Sequence, residues 1–118
     1  MTLEHDVLRQ HIADWVELFN RGDTAAVDAL YADDGLLVPV PGHPVSGPAR
    51  AAATQYLIDQ GARMSAEVRH CYVAGDIALL IVDWSLEGVG MKGTATDVLR
   101  RDADGRWRYV IDNPAGVG

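Results

Sequence analysis

The first third of the chain has apolar residues at the spacing of an α-helix. Positions three or four residues apart share one face of a helix, and such positions run from the capping residue Thr2 to Gly22. The apolar members of that face are Leu8, Ile12, Trp15, Val16 and Phe19. Asp23 then caps a second, short helix that is predicted to reach Tyr31. We expect both helices to turn their apolar faces inward.

Turn-forming residues divide the middle of the chain into a turn, a strand and a third helix. The run ADDG at positions 32–35 predicts a turn, and the apolar positions 36–40 that follow are typical of a strand. Pro41 and Pro44 break this strand and place it at the edge of a sheet or beside a loop. Ser46 is the predicted cap of a third helix, which continues through an alanine-rich run.

Four strand-like segments fill the rest of the chain. They are rich in apolar and β-branched residues and are separated by turns that contain glycine. Their positions are 64–73, 77–86, 91–101 and 106–113. Helices followed by a run of strands predict an α+β fold, in which three N-terminal helices pack on a curved, mostly antiparallel sheet. Such an arrangement leaves a cone-shaped interior.

The last two strands form a predicted hairpin around Asp104 and Gly105, and each strand carries an acid. If the loop contains only these two residues, Asp97 faces Asp112 across the hairpin. A three-residue loop instead sets Asp97 opposite Ile111, because a slip of one residue turns a strand over. The sequence leaves both registers open.

Asp97 and Asp112 are the candidate catalytic residues. A neighbouring like charge or an apolar wall raises the pKa of a carboxyl group toward the range used in acid-base catalysis. Asp97 lies in the middle of a strand, where aspartate is depleted, so a functional role is favoured there. Asp112 precedes Asn113 and Pro114, and a structural role beside that turn is an equally good interpretation.

Aromatic residues are spaced to line the cone-shaped interior. Trp15 and Phe19 come from the first helix, Tyr31 follows the second, and Trp84 lies within a strand. Ordinary core packing is the alternative for each of them. A buried indole N–H or phenol O–H group needs a hydrogen-bond partner, and Asp97 is the partner that we expect.

The composition limits the class of protein. A length of 118 residues with 48% hydrophobic residues predicts a single domain over positions 1–118. The net charge of -7 argues against nucleic acid or a membrane surface as a partner. Cys71 is the sole cysteine, which excludes an internal disulfide and favours the cytoplasm, and we expect no signal peptide.

Motifs for metals and common cofactors are missing from the sequence. The four histidines lack the spacing of a zinc site, and there is no P-loop, G-x-G-x-x-G or G-x-S-x-G motif. We therefore expect no metal ion and no cofactor. Only His43, in a Pro-Gly loop at the end of the first strand, is placed to reach the mouth of a pocket. A solvated loop residue is the alternative.

The order of elements resembles that of the nuclear transport factor 2-like superfamily, and so do the segments WVELFNRGD, YADDG and TDVLRRDADGRW. The ketosteroid isomerase-like and SnoaL-like (polyketide cyclase-like) branches are the most similar. The resemblance covers nearly the whole chain and implies a cone-shaped α+β barrel with a pocket for a small ligand. It also implies a homodimer formed through the outer face of the sheet, where Thr94, Thr96 and Val98 point under the two-residue register.

Compared with the steroid isomerases, the chain keeps one site residue and changes two. The resemblance places Trp15 where those enzymes have a hydrogen-bonding tyrosine, and Pro39 where they have the general base. It places Asp97 where they have the carboxylic acid that donates to the developing oxyanion. Ala95 stands where the limonene epoxide hydrolases have an arginine, so their water-activating set is incomplete. The resemblance also favours the two-residue register of the hairpin.

The resemblance adds residues to the predicted pocket wall, namely Phe19, Tyr31, Val82, Trp84, Val110 and Asp112. The complete set of candidate ligand-binding residues is Trp15, Phe19, Tyr31, Val38, His43, Tyr56, Val82, Trp84 and Val110. We expect the pocket to bind a small, largely apolar molecule with a carbonyl group, and to transfer protons as an isomerase or cyclase does. A non-catalytic ligand-binding or dimeric interaction domain of the same fold is the alternative.

Overall fold

Three helices pack on a six-stranded sheet in a computed structural model that describes residues 3–118. The helices are α1 (Leu3–Asn20), α2 (Thr24–Asp28) and α3 (Pro48–Asp59). The strands are β1 (Tyr31–Val40), β2 (His43–Val45), β3 (Arg63–Ala74), β4 (Ile77–Glu87), β5 (Met91–Arg101) and β6 (Trp107–Asp112). The predicted α+β fold is confirmed. No helix within residues 3–118 is both long and apolar enough to cross a lipid bilayer.

The strands lie in the order β2-β1-β6-β5-β4-β3, and every pairing is antiparallel except that of β1 with β6. The prediction of a mostly antiparallel sheet is therefore correct. The short edge strand β2 was not predicted, because its prolines indicated only a break. Residues 41–42 are in fact a turn, with Gly42 at a φ of 82°, and this turn returns the chain beside β1.

The helix boundaries differ from the prediction in two places. Asp23 caps α2 as expected and accepts a hydrogen bond from the backbone N–H of Ala26, but the helix ends at Asp28 and not near Tyr31. Gly47, without a side-chain hydrogen bond, is the N-cap of α3, so the prediction of a Ser46 cap is wrong. The predicted cap at Thr2 lies outside the described residues.

The stretch 32–35, predicted as a turn, is an irregular part of β1. The register between β1 and β6 shifts between Tyr31 and Leu36, which makes this stretch a bulge within the strand. Gly35 permits the close approach of the two strands, since a Cβ atom there would lie 2.6 Å from the carbonyl oxygen of Tyr109. The predicted turn residues therefore bend a strand that continues on both sides.

A buried arginine ties the second and third helices to this bulge. Arg50 of α3 is only 4% exposed, and its guanidinium pairs with Asp28 at 2.8 Å. It also donates hydrogen bonds to the carbonyl oxygens of Ala32 and Gly35, at 3.0 and 2.7 Å. Its guanidinium carbon lies 4.9 Å from the centre of the Tyr31 ring. Arg50 thus fixes the start of β1 and supports the Tyr31 side chain.

The first helix lies across β3, and its apolar face closes the core as predicted. Leu8, Ile12 and Phe19 are buried against inward residues of the sheet such as Leu80 and Leu99. At the end of the helix, the Asn20 side chain accepts a hydrogen bond from the backbone N–H of Met64 and donates one to its carbonyl oxygen. This pair of bonds fixes the helix relative to the sheet.

We expect Gly35→Ala to lower the free energy of unfolding by about 2 kcal/mol, because the added methyl group collides with the backbone of β6. Chemical denaturation measures this change. Asp33→Ala is the matched control, since Asp33 is exposed in the same bulge and its replacement should change stability by less than about 0.5 kcal/mol. Equal stability of the Gly35 variant and the wild type would show that the close approach is not required.

Candidate active site

A cavity of about 360 Å³ lies between the helices and the inner face of the sheet. Its lining within residues 3–118 is almost entirely apolar and contains no lysine, arginine or histidine. The polar groups on its wall come from a few residues, chiefly Trp15, Tyr31, Thr54, Asp97, Tyr109 and Asp112. A mainly apolar pocket with a few convergent polar groups is the usual form of a small-molecule site.

The two acids reach this cavity through an irregular hairpin. The backbone N–H of Asp102 donates to the carbonyl oxygen of Arg106, so the loop between them has three residues and not two. Leu99 accordingly pairs with Tyr109, but the next pair is Val98 with Ile111. The shift is a β-bulge at position 110 that adds one residue to β6.

Beyond the bulge, the register sets Asp97 beside Asp112. Continuing the pair of Val98 with Ile111 by one step brings the two acids together, and the backbone N–H of Thr96 donates to Asn113 in the same register. Asp97 is 4% exposed and Asp112 is 7% exposed. Neither register proposed from the sequence describes the whole hairpin, because the three-residue loop and the bulge cancel each other at the acids.

Hydrogen bonds join the acids to a chain of donors. The indole N–H of Trp15 donates to the Tyr31 hydroxyl at 3.3 Å, and that hydroxyl donates to Asp112. The two carboxyl groups are also close enough to share a proton. The backbone N–H of Asn113 donates to the other side of Asp97 at 3.1 Å. Each acid therefore accepts one hydrogen bond from a donor that the fold holds in place.

This environment keeps a proton on the pair. Burial raises the pKa of Asp97 well above its ordinary value, and the neighbouring Asp112 raises it further. Burial also raises the pKa of Asp112, while the hydrogen bonds from Asp97 and Tyr31 oppose that rise. The two groups titrate as one coupled system.

Six of the nine predicted ligand-binding residues line the cavity: Trp15, Phe19, Tyr31, Tyr56, Val82 and Trp84. The structure also places both predicted acids there. The remaining three, Val38, His43 and Val110, do not line it.

The three misplaced residues have separate physical reasons. Within β1, Leu37, Pro39 and Val40 line the cavity, while Val38 lies between them on the other face of the strand. Val110 lies at the bulge of β6 and is likewise excluded from the wall. His43 is an exposed residue of the edge strand β2.

The hydrogen-bond partners also differ from the prediction that Asp97 receives the indole and phenol groups. Tyr31 donates to Asp112 instead. Trp84 donates through its indole N–H to the carbonyl oxygen of Pro114, at 2.8 Å. Asp112, for which the sequence favoured a functional role less than for Asp97, is therefore the acid that accepts a hydrogen bond from a phenol.

Two residues at the site were missed by the sequence analysis. Tyr109 lines the cavity at 3% exposure, and the edge of the His11 ring contacts its ring at a centroid distance of 4.8 Å. Burial lowers the pKa of His11 to about 4, so this side chain is neutral at pH 7. Alternation with Trp107 would have placed Tyr109 inward, had the three-residue loop been known. No signal in the sequence marks His11, which lies on the helix face next to the apolar one.

We expect Asp97→Asn to become more stable relative to the wild type as the pH rises from about 4 to about 8. The folded protein holds a proton on Asp97 that the unfolded chain releases near pH 4, so the free energy of unfolding of the wild type falls through this window. Asparagine does not titrate, yet its amide still donates to Asp112 and accepts from Asn113.

Denaturation of both proteins at several pH values measures the difference. Asp33→Asn is the control, because Asp33 is exposed and its replacement should leave the pH dependence unchanged. A stability difference for the Asp97 variant that stays constant over the window would contradict a raised pKa.

Clustered metal ligands were not found in residues 3–118, where no three His, Cys, Asp or Glu side chains are grouped to hold an ion. The two acids of the cavity lie next to each other, and Tyr31 donates a hydrogen bond to one of them. The polar groups on the cavity wall are mainly carboxyl, phenol and indole groups.

Comparison with solved structures identifies the architecture. A protein of unknown function from Shewanella oneidensis, described as NTF-2 like, has 19% identity and a TM-score of 0.77, with 93% of this chain and 97% of that chain covered. A ketosteroid isomerase-like protein from Erwinia carotovora has 22% identity and a TM-score of 0.64, with 95% of both chains covered. A putative calcium/calmodulin-dependent protein kinase type II association domain from Thiobacillus denitrificans has 24% identity and a TM-score of 0.72, covering 92% of this chain and 93% of that one. These similarities concern the fold.

A comparison of sequences identifies the family. No curated protein matches the chain. The family model of the SnoaL-like domain matches residues 12–110, a span that includes both the first helix and the hairpin of the acids. The chain therefore belongs to the SnoaL-like domain family, and its fold is that of the NTF-2 like structure from Shewanella oneidensis.

Proposed function

We propose that the protein binds a small, largely apolar molecule with a carbonyl group and transfers protons on it, as an isomerase or cyclase does. The observation that carries this proposal is a pair of adjacent, buried carboxyl groups, Asp97 and Asp112, on the wall of an apolar cavity. Burying two acids together costs free energy, and buried acids with altered pKa values occur mostly at functional sites. The apolar remainder of the wall fits the hydrocarbon part of such a ligand.

The pair contains both partners that proton transfer next to a carbonyl requires. Asp97, as the neutral acid, donates its proton to the carbonyl oxygen. Asp112, as the carboxylate, takes a proton from the adjacent carbon, whose bonding electrons form the C=C bond of an enol. One proton leaves the pair and one arrives, so its charge is unchanged. Return of a proton to a different carbon completes an isomerisation.

The second candidate function is ligand binding without turnover, in a pocket or an interaction domain of the same fold. Pro39 favours it, because this residue lines the cavity at the position that corresponds to the general base of the steroid isomerases. A proline side chain has no group that accepts a proton. Catalysis by the Asp97 and Asp112 pair alone distinguishes the first candidate from the second.

A screen of keto-steroids and polyketide intermediates by thermal shift, followed by turnover assays on the hits, tests the proposal. We expect Asp97→Asn to keep ligand affinity and to lower turnover by about 10²- to 10⁴-fold, the usual contribution of a general acid or base. Asp33→Asn, an exposed change of the same type, should leave turnover unchanged. Ligands that bind the wild type without any turnover would favour the second candidate.

The proposed assembly is a homodimer formed through the outer face of the sheet. Tyr72, Leu79, Val98 and Ile111 are cross-strand neighbours that form one continuous row over β3, β4, β5 and β6. The row lies on the face opposite Asp97, and three of its members are 57%, 37% and 39% exposed. An apolar row of this kind on a sheet face is typical of an interface. The other proposed partner is a small ligand, and the proposed location is the cytoplasm. Nucleic acid and membranes are not among the proposed partners.

We expect light scattering to give a dimer mass for the wild type and a monomer mass for Leu79→Glu, because each copy would bury a charge in the centre of the interface. Leu3→Glu is the control, since Leu3 is 79% exposed on α1 and away from the row. A monomeric wild type at micromolar concentration, or a Leu79 variant that stays dimeric, would overturn this assembly.

A further inference from the structure

Tyr109 is held in a fixed position at the inner end of the cavity. It lies on β6 opposite Leu99, and its ring is enclosed by two others. The His11 ring contacts it edge-on at an interplanar angle of 70°, and the Tyr31 ring lies 4.8 Å away at 33°. A side chain that is 3% exposed and packed on two sides has little freedom to turn.

The Tyr109 hydroxyl has no hydrogen-bond partner within residues 3–118. The neighbouring Tyr31 hydroxyl, in contrast, accepts from Trp15 and donates to Asp112. A buried phenol almost always has a partner, because an unpaired O–H group in an apolar setting costs about 1–3 kcal/mol. Tyr109 lines the cavity, so a molecule in the cavity is able to supply the missing partner.

His11 does not supply it. The two rings meet at an edge, and the Nε2 atom of His11 is itself buried without a hydrogen bond in the described part of the chain. His11 does not line the cavity. Of these two rings, therefore, only that of Tyr109 is within reach of a ligand there.

Tyr109 also lies near the carboxyl pair. Leu99 is its cross-strand partner, and Asp97 lies two residues along β5 on the same inner face. Such diagonal neighbours are within reach of an aromatic side chain. Burial, and then the neighbouring carboxyl groups of Asp97 and Asp112, raise the pKa of Tyr109 well above its ordinary value. The phenol consequently keeps its proton and is available as a donor.

We propose that the Tyr109 hydroxyl is a second hydrogen-bond donor to the ligand's carbonyl oxygen, beside the donor Asp97, and that it sets the preference of the cavity for an oxygen-bearing ligand. The inference rests on the proposed function. The lining has no cationic side chain, so an oxygen that two neutral donors bind belongs to an uncharged ketone or aldehyde rather than to a carboxylate.

The experiment compares two probes of equal shape, 2-acetylnaphthalene and 2-isopropenylnaphthalene, which differ only in C=O against C=CH₂. Dissociation constants are measured by calorimetry for the wild type, Tyr109→Phe and the control Asp33→Asn, whose residue is exposed and outside the cavity. The wild type and the control should prefer the ketone. Tyr109→Phe should bind the ketone roughly 3- to 10-fold more weakly and the alkene equally well, since one neutral hydrogen bond is lost.

The outcomes separate this inference from the proposed function. A wild type that binds both probes equally, or neither, contradicts carbonyl binding itself. A wild type that prefers the ketone, together with a Tyr109 variant that keeps the same preference, overturns the role of Tyr109 alone.

A second measurement needs no variant and so stands even if Tyr109→Phe fails to fold. The wild type is labelled with ¹³C at the tyrosine Cζ atoms, and the Tyr109 signal is followed during titration with each probe. The ketone should shift this signal and the alkene should not. An unmoved Tyr109 signal under saturating ketone would overturn the inference.

Discussion

The burial of Asp97 and Asp112 side by side is the constraint around which the rest of the site is arranged. Two carboxyl groups in a buried position are tolerated only if a proton and directed hydrogen bonds offset their desolvation. Tyr31 and the backbone of Asn113 supply those bonds. Arg50 in turn supports Tyr31 from α3, so that elements distant in the chain converge on one pair of side chains.

The pairing of the acids illustrates where sequence reasoning succeeds. Three features of the sequence located the candidate site at the hairpin. They are the Asp-Gly turn, the strand pattern and the mid-strand position of Asp97. The register was beyond reach, because a bulge at Val110 occurs within a run of good strand formers and has no local signal. The three-residue loop and the bulge each shift the strands by one residue, and their effects cancel at Asp97 and Asp112.

The cavity wall shows the same division between local and distant information. Helical spacing was sufficient to place Trp15 and Phe19. Val38 was misplaced by one position, because the phase of β1 depends on its bulge at 32–35 and on the approach of Gly35 to β6. A contact between strands that are far apart in the chain decides that phase, and no pattern within either strand reveals it. The acceptors of the buried indole and phenol groups depended on the same contact between β1 and β6.

The SnoaL-like family assignment gives the fold, and the proposed function rests on the carboxyl pair. The most direct test of the account is the protonation state of Asp97, measured from its side-chain carboxyl ¹³C shift over a pH titration. The account predicts the shift of a neutral carboxylic acid at pH values well above the ordinary aspartate pKa of about 4. An Asp97 carboxyl that titrates like a free aspartate would contradict the buried, proton-sharing pair on which the proposed function depends.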